Sequence, residues 1–287
     1  MTRVSWFVSV VLLALAAAGA QAQSARNLDA LMQKSGLHKQ VGQLEGLMRG
    51  GMDAYFAEQA AGGKGAALGA SERTEMARAI SRSYAPDGLR GDVRATLARE
   101  FSADDEAVVM VWLDSDTGKR ITALEEAYGE MNDAPGIERR EKSTRDLLKV
   151  LRPERRALIE RLASATNAAE AGARFMGNMT LAIALGGMAA TDGDTSGVEK
   201  LRRSFEAQRP EIAKVMLRET LSAYAWMYRT VPDAEFTRYV EFAETPAGLR
   251  YHDASNLAVD HAMARASLEF GREMAEIGKR RAGAKAS

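Results

Sequence analysis

Cysteine is absent from the 287 residues. That absence excludes disulfide stapling, thiolate metal ligation, thiol nucleophiles and a lipid-modified N-terminal cysteine. Histidine is nearly as scarce, with His38, His252 and His261 the three side chains that could act as general bases near neutral pH. None stands in a metal or catalytic spacing, and His252 and His261 fall on one expected helix about 13 Å apart along its axis, too far to share an ion. An excess of either charge is missing as well: 39 Lys and Arg face 39 Asp and Glu. Nucleic-acid binding, which rests on a basic excess that neutralises phosphates, is therefore unsupported. There is no GxSxG, HExxH, phosphate loop or dinucleotide fingerprint. Asp192 and Asp194 flank Gly193 as in a calcium loop, but the distal Glu is lacking. Carboxylate pairs such as Glu125-Glu126 and Asp104-Asp105 suit any solvated helix surface. The expectation is a chain with no catalytic residue, no metal and no cofactor.

Proline is restricted to six residues and aromatics to 6%, against abundant Ala, Leu, Met, Glu and Arg, which favours helix over sheet. Long apolar runs are also few. The first, Val4 to Ala18, follows Arg3 and precedes Ala20-Gln21-Ala22, the layout of a secretory signal peptide over residues 1–22 with cleavage near Ala22. It is shorter than the roughly 20 residues of a membrane span, which favours export to the periplasm over a retained anchor. The second, Phe175 to Ala190, carries no charge and reads as a buried core helix for the same reason of length. No transmembrane span is expected in the mature chain.

Two stretches 130 positions apart share a pattern. Val111 to Arg120 and Glu241 to Arg250 each run aromatic (Trp112, Phe242), acidic (Asp114, Glu244), hydroxyl (Ser115, Thr245), glycine (Gly118, Gly248) and arginine (Arg120, Arg250). At this offset Val108 to Leu113, which alone would pass for a strand, aligns with a segment of helical periodicity, so both are expected to be helices. A residue before proline leaves the helical region, so Thr245 should end one helix and cap the next, with Pro246 at its first position. Gly42, Gly46 and Gly50 form a GxxxGxxxG run, and a related face recurs at Ala182 and Gly186. Glycine inside a helix costs about 1 kcal/mol against alanine, so the run implies close packing, either of the two helices or in a homodimer. Breaks are expected at the Gly- and Ala-rich linker 60–70, the turn 132–136, Arg152-Pro153, the loop 191–197 and Pro210. Trp112 and Trp226 should be core residues, and His261 a partly buried structural histidine.

The Thr245-Pro246-Ala247-Gly248 turn, with Phe242 before it and Arg250 after it, resembles the signature of the DUF2059 family of exported bacterial helical proteins. The likeness is strongest over 223–275, with a second copy over 90–131 in which Asp116 replaces the proline. The resemblance implies a small periplasmic helical domain without an established activity.

The fold expected is therefore all-α: two tandem related helical repeats, 23–152 and 153–278, packed as a bundle after the signal peptide, with a basic disordered tail at 279–287. The first functional expectation is a non-catalytic interaction or scaffold protein of the cell envelope, acting on an unknown envelope partner through the corner motifs. The alternative is a carrier of an apolar or lipid-like ligand held between the repeats by Met, Ala and Gly faces.

Overall fold

Several of the described helices begin where a side chain caps the first turn or a proline removes an amide that would lack a partner. The computed structural model describes residues 26–61, 70–131, 147–189 and 196–286. The expected signal peptide, most of the expected 60–70 linker, the 132–136 turn and most of the 191–197 loop lie outside them. The described residues form twelve helices and no strand: α1 Leu28–Lys34, α2 Leu37–Ala61, α3 Ala70–Ser83, α4 Pro86–Glu100, α5 Ala103–Asp114, α6 Asp116–Glu130, α7 Leu147–Val150, α8 Pro153–Ala165, α9 Ala168–Ala189, α10 Ser196–Met227, α11 Asp233–Ala243 and α12 Pro246–Ala286.

Asn27, Ser102 and Ser115 cap α1, α5 and α6 through their side chains, while Pro86 and Pro153 open α4 and α8. Two residues among those described have positive φ, Gly36 at 73° and Asn167 at 50°. Gly and Asn are the residues that tolerate this region best, and each reverses the chain after a short opening helix, α1 into α2 and α8 into α9.

Several sequence expectations are corrected here. Pro210 lies inside α10 rather than between two helices. It stands on the exposed side, where the carbonyl it leaves without an amide donor can take water. α12 runs past the boundary expected at 278 to Ala286, and Arg280 pairs with Glu75 of α3. Trp226 is only half-buried and carries the Arg229 guanidinium 3.8 Å over its ring. His261 is exposed, and His252 is the enclosed histidine of α12. Val108 to Leu113 is helical as expected, with Val109 and Leu113 inward and Val108 and Val111 outward.

The apolar faces gather into two clusters. One combines α1 to α5 with α12, through residues such as Leu31, Tyr84, Leu97, Ala258 and Met263. The other combines α8, α10 and α11 with α6, through Ile159, Leu162, Tyr228, Phe236 and Ile121. The helix following each corner thus crosses to the cluster built mainly by the other half. Trp112 and Phe242 pack against both clusters.

The small-residue helices do not meet each other as expected. Gly46 and Gly50 have open space where a Cβ would sit, and Gly42 abuts only the Arg90 side chain. Ala182 is buried and Gly186 is in backbone contact, but the partner is α12: a Cβ on Gly186 would strike the Leu268 carbonyl, and one on Gly271 the Ile183 carbonyl. The apolar α9 packs on α12 and also on α10, where a Cβ on Gly177 would strike the Phe205 ring, leaving Met176 and Leu185 exposed. Among the described residues no helix is long and apolar enough to cross a membrane.

Candidate functional site

The two corners repeat one geometry. Ser115 Oγ accepts from the Gly118 amide at 3.0 Å and donates to the Trp112 carbonyl at 2.6 Å. Thr245 Oγ1 accepts from the Gly248 amide at 3.0 Å and donates to the Phe242 carbonyl at 2.7 Å. A Cβ at Gly118 would strike the Trp112 carbonyl oxygen, and one at Gly248 the Phe242 carbonyl oxygen. Glycine is required at both places by close approach rather than by φ. Pro246 opens α12. Arg120 then reaches Glu235 at 2.8 Å, and Arg250 grips Asp105 with two bonds of 2.8 and 2.6 Å. Every residue singled out in the corner motif therefore has a structural task.

Behind the corners, the stacked Trp112 and Phe242 form part of the wall of a cavity of about 400 Å³ between the halves. That is within the roughly 300–1,000 Å³ of small-molecule sites. α6 and α12, the two helices that cross between clusters, face each other across it with Ile121, Thr122 and Glu125 on one side and Tyr251, His252 and Ser255 on the other. Tyr224 of α10, Tyr228 in the turn after it and Tyr239 of α11 close the wall, while exposed Leu47 of α2 also lines it, so the cavity reaches the surface.

Glu125 is the chemical centre. Its Oε1 accepts from Tyr228 Oη at 2.7 Å and from Tyr239 Oη at 2.9 Å. Glu125 is half-buried and its carboxyl lies among neighbouring protein atoms on the cavity wall. Burial pushes this carboxyl above its ordinary range, against the two phenol donors that favour its ionised form. Burial, and then the neighbouring Glu125 charge, holds the Tyr228 and Tyr239 phenols well above their usual value. Tyr224, bonded to Thr166 Oγ1 at 3.0 Å, is pushed up by burial to about 12. His252 is lowered by burial to about 4, so it is neutral at pH 7, and its Nε2 has no hydrogen-bond partner.

No Lys or Arg lines the cavity among the described residues. The contrast is a groove of about 560 Å³ on the outside, between α3 and α12, where Arg82 pairs with Glu273 and Arg280 with Glu75. Those pairs lie beside Arg78 and Arg272 on an outer face in contact with water, where a charge carries little burial cost. Among the described residues, no three His, Asp or Glu are grouped to hold a metal ion.

Glu125, Tyr224, Tyr228, Tyr239 and His252 were not marked by the sequence as site residues. Glu125 reads as one of two adjacent carboxylates on an amphipathic helix, yet its neighbour Glu126 pairs outward with Lys39 at 3.1 Å. One signal was available: three of the seven tyrosines, at 224, 228 and 239, crowd into a short stretch of the second half. The cavity keeps apolar side chains such as Leu44, Leu113, Ile121, Met227 and Val259 and adds phenols, a carboxyl and an imidazole, while the Gly186 face of α9 is taken up by the seam with α12. Comparison with protein-family models, curated proteins and solved structures gives no match in any of the three.

Proposed function

We propose that this chain is an exported, non-catalytic binding protein that carries a small organic molecule in the cavity between two related halves. The observation that carries the reading is the enclosed Glu125, bonded to two phenols inside a cavity of about 400 Å³. A buried carboxyl without a cation costs stability, and a core serving only stability would replace it by an apolar side chain. To the apolar or lipid-like ligand expected from the sequence this reading adds a polar end that meets Glu125.

The halves, 23–152 and 153–278, are read as a tandem duplication whose last helices have exchanged places. Arg120 pairs with Glu235 and Arg250 with Asp105, and both partners of one pair lie 130 positions from their counterparts in the other. A twofold relation generates such reciprocal contacts. At the same offset Glu125 corresponds to Ser255 and Thr122 to His252, all of which line the cavity. The cavity would then lie on the axis, made asymmetric by divergence. The DUF2059 resemblance of Thr245 to Arg250 and the signal-like N-terminus support a periplasmic address.

Native mass spectrometry of the mature protein purified from its own compartment tests the carrier reading. A small-molecule increment above the chain mass is expected, and repeated bare preparations would count against it. A second reading, an envelope interaction protein, draws on Val108 and Val111, 51% and 75% exposed on one face of α5. It predicts that charged substitutions there abolish capture of an envelope partner while leaving the cavity intact.

A further inference from the structure

We infer that the ligand is an organic cation, an amine or quaternary ammonium group seated against Glu125. This rests on reading the cavity as a ligand site and adds the chemical class of what fills it.

Three features converge. First, Glu125 is the one acidic group on the cavity wall, and neither Lys nor Arg faces it among the described residues. The other titratable groups there are phenols and His252, none of which carries a positive charge at neutral pH. A carboxyl so placed is either neutral when the cavity is empty or balanced by a charge that arrives with the ligand.

Second, the surrounding wall is aromatic. Tyr228 and Tyr239, inclined at 69° to each other, bring their hydroxyls to the carboxyl, Tyr224 lies beside Tyr228 at 56°, and Tyr239 stacks with Trp112. Inclined aromatic rings around a carboxylate attract a weakly hydrated cation through their π-electrons and satisfy its charge without a second hydrogen-bonding shell. An anionic ligand would meet Glu125 with no compensating base.

Third, the hydrogen bonds prepare the carboxyl for this partner. Both phenols donate to the same oxygen, Oε1. These bonds hold the group in place and favour its ionised form once a cation offsets the burial that otherwise raises its pKa.

The test uses the full mature chain and a matched pair of probes: choline, and 3,3-dimethyl-1-butanol, in which carbon replaces the ammonium nitrogen. Binding is followed by titration calorimetry in the wild type, in Glu125→Gln and in Glu126→Gln. The amide oxygen of Gln still accepts from Tyr228 and Tyr239, and thermal unfolding checks that each variant folds. The wild type and Glu126→Gln are expected to prefer choline by about tenfold or more, and Glu125→Gln to lose that preference. Equal affinity for the two probes, a preference for the alcohol, or a choline preference that survives Glu125→Gln would overturn the cation class. Alcohol binding, or a neutral molecule recovered by mass spectrometry, would in those cases keep the carrier reading. Failure of both probes together with repeatedly bare protein would overturn both.

Discussion

Trp112 and Phe242 stack 4.5 Å apart and 9° from parallel, each supplying the carbonyl that its own corner hydroxyl binds. The pair joins the two apolar clusters, so its interaction energy should exceed that of two independent side chains. In a double-mutant cycle, Trp112→Ala and Phe242→Ala are each expected to cost about 3 kcal/mol, with a coupling of about 1 kcal/mol. Chemical denaturation supplies the values, and strictly additive losses would mean that the stack contributes area alone.

Glycines in this chain separate into required and dispensable ones. Gly118→Ala and Gly248→Ala drive a methyl into the backbone carbonyl that closes each corner, and each should cost on the order of 3 kcal/mol. Gly46→Ala meets open space in the middle of α2 and should raise stability by up to about 1 kcal/mol. The denaturation midpoints should therefore move in opposite directions. A loss at Gly46 equal to that at Gly248 would point to an undescribed neighbour on α2.

These contrasts show how far the sequence could be read. The corner was legible because its demands are local: a hydroxyl three residues before a glycine and, at Pro246, a proline suited to the first position of a helix. The crossing of α6 and α12 was not, because nothing within either helix specifies which cluster it joins. Which helix would meet the GxxxGxxxG run was not legible for the same reason. Spacing marks a face where another backbone can approach, but Gly271 on α12, and not α2, presents the matching face to Gly186. Glu125 stayed hidden because a charged residue that turns inward leaves the amphipathic pattern almost unchanged.

The reciprocal arginines should differ little from each other in strength. Arg250 and Arg120 side chains are 57% and 45% exposed, so solvent screens both pairs despite partners that are 11% and 14% exposed. Removing either arginine should cost about 1 kcal/mol or less, and high salt should shrink the loss. The exchange Arg250→Asp with Asp105→Arg should recover part of what either single reversal loses. A double reversal as unstable as the sum of its singles would show that packing, not charge, fixes the corner.

The cavity groups should leave opposite marks on stability as pH changes. His252 has a folded pKa of about 4, below the ordinary 6.5, so between these values the unfolded chain binds the extra proton. Stability from this residue is complete above pH 6.5 and is lost as pH falls toward 4, by on the order of 3 kcal/mol. Glu125 behaves in the reverse sense: its folded pKa lies above the ordinary 4.5, so its contribution is complete below that value and is lost as pH rises through the folded one. Other carboxylates add their own slopes, and comparison with single variants removes them. Denaturation between pH 4 and 8 should therefore show wild type losing ground to His252→Asn on acidification and to Glu125→Gln on alkalinisation. Curves that stay parallel for either variant would place that side chain in contact with water in the folded protein. A cation bound at Glu125 should remove the alkaline loss, because the charge that burial penalises would then be balanced inside the cavity.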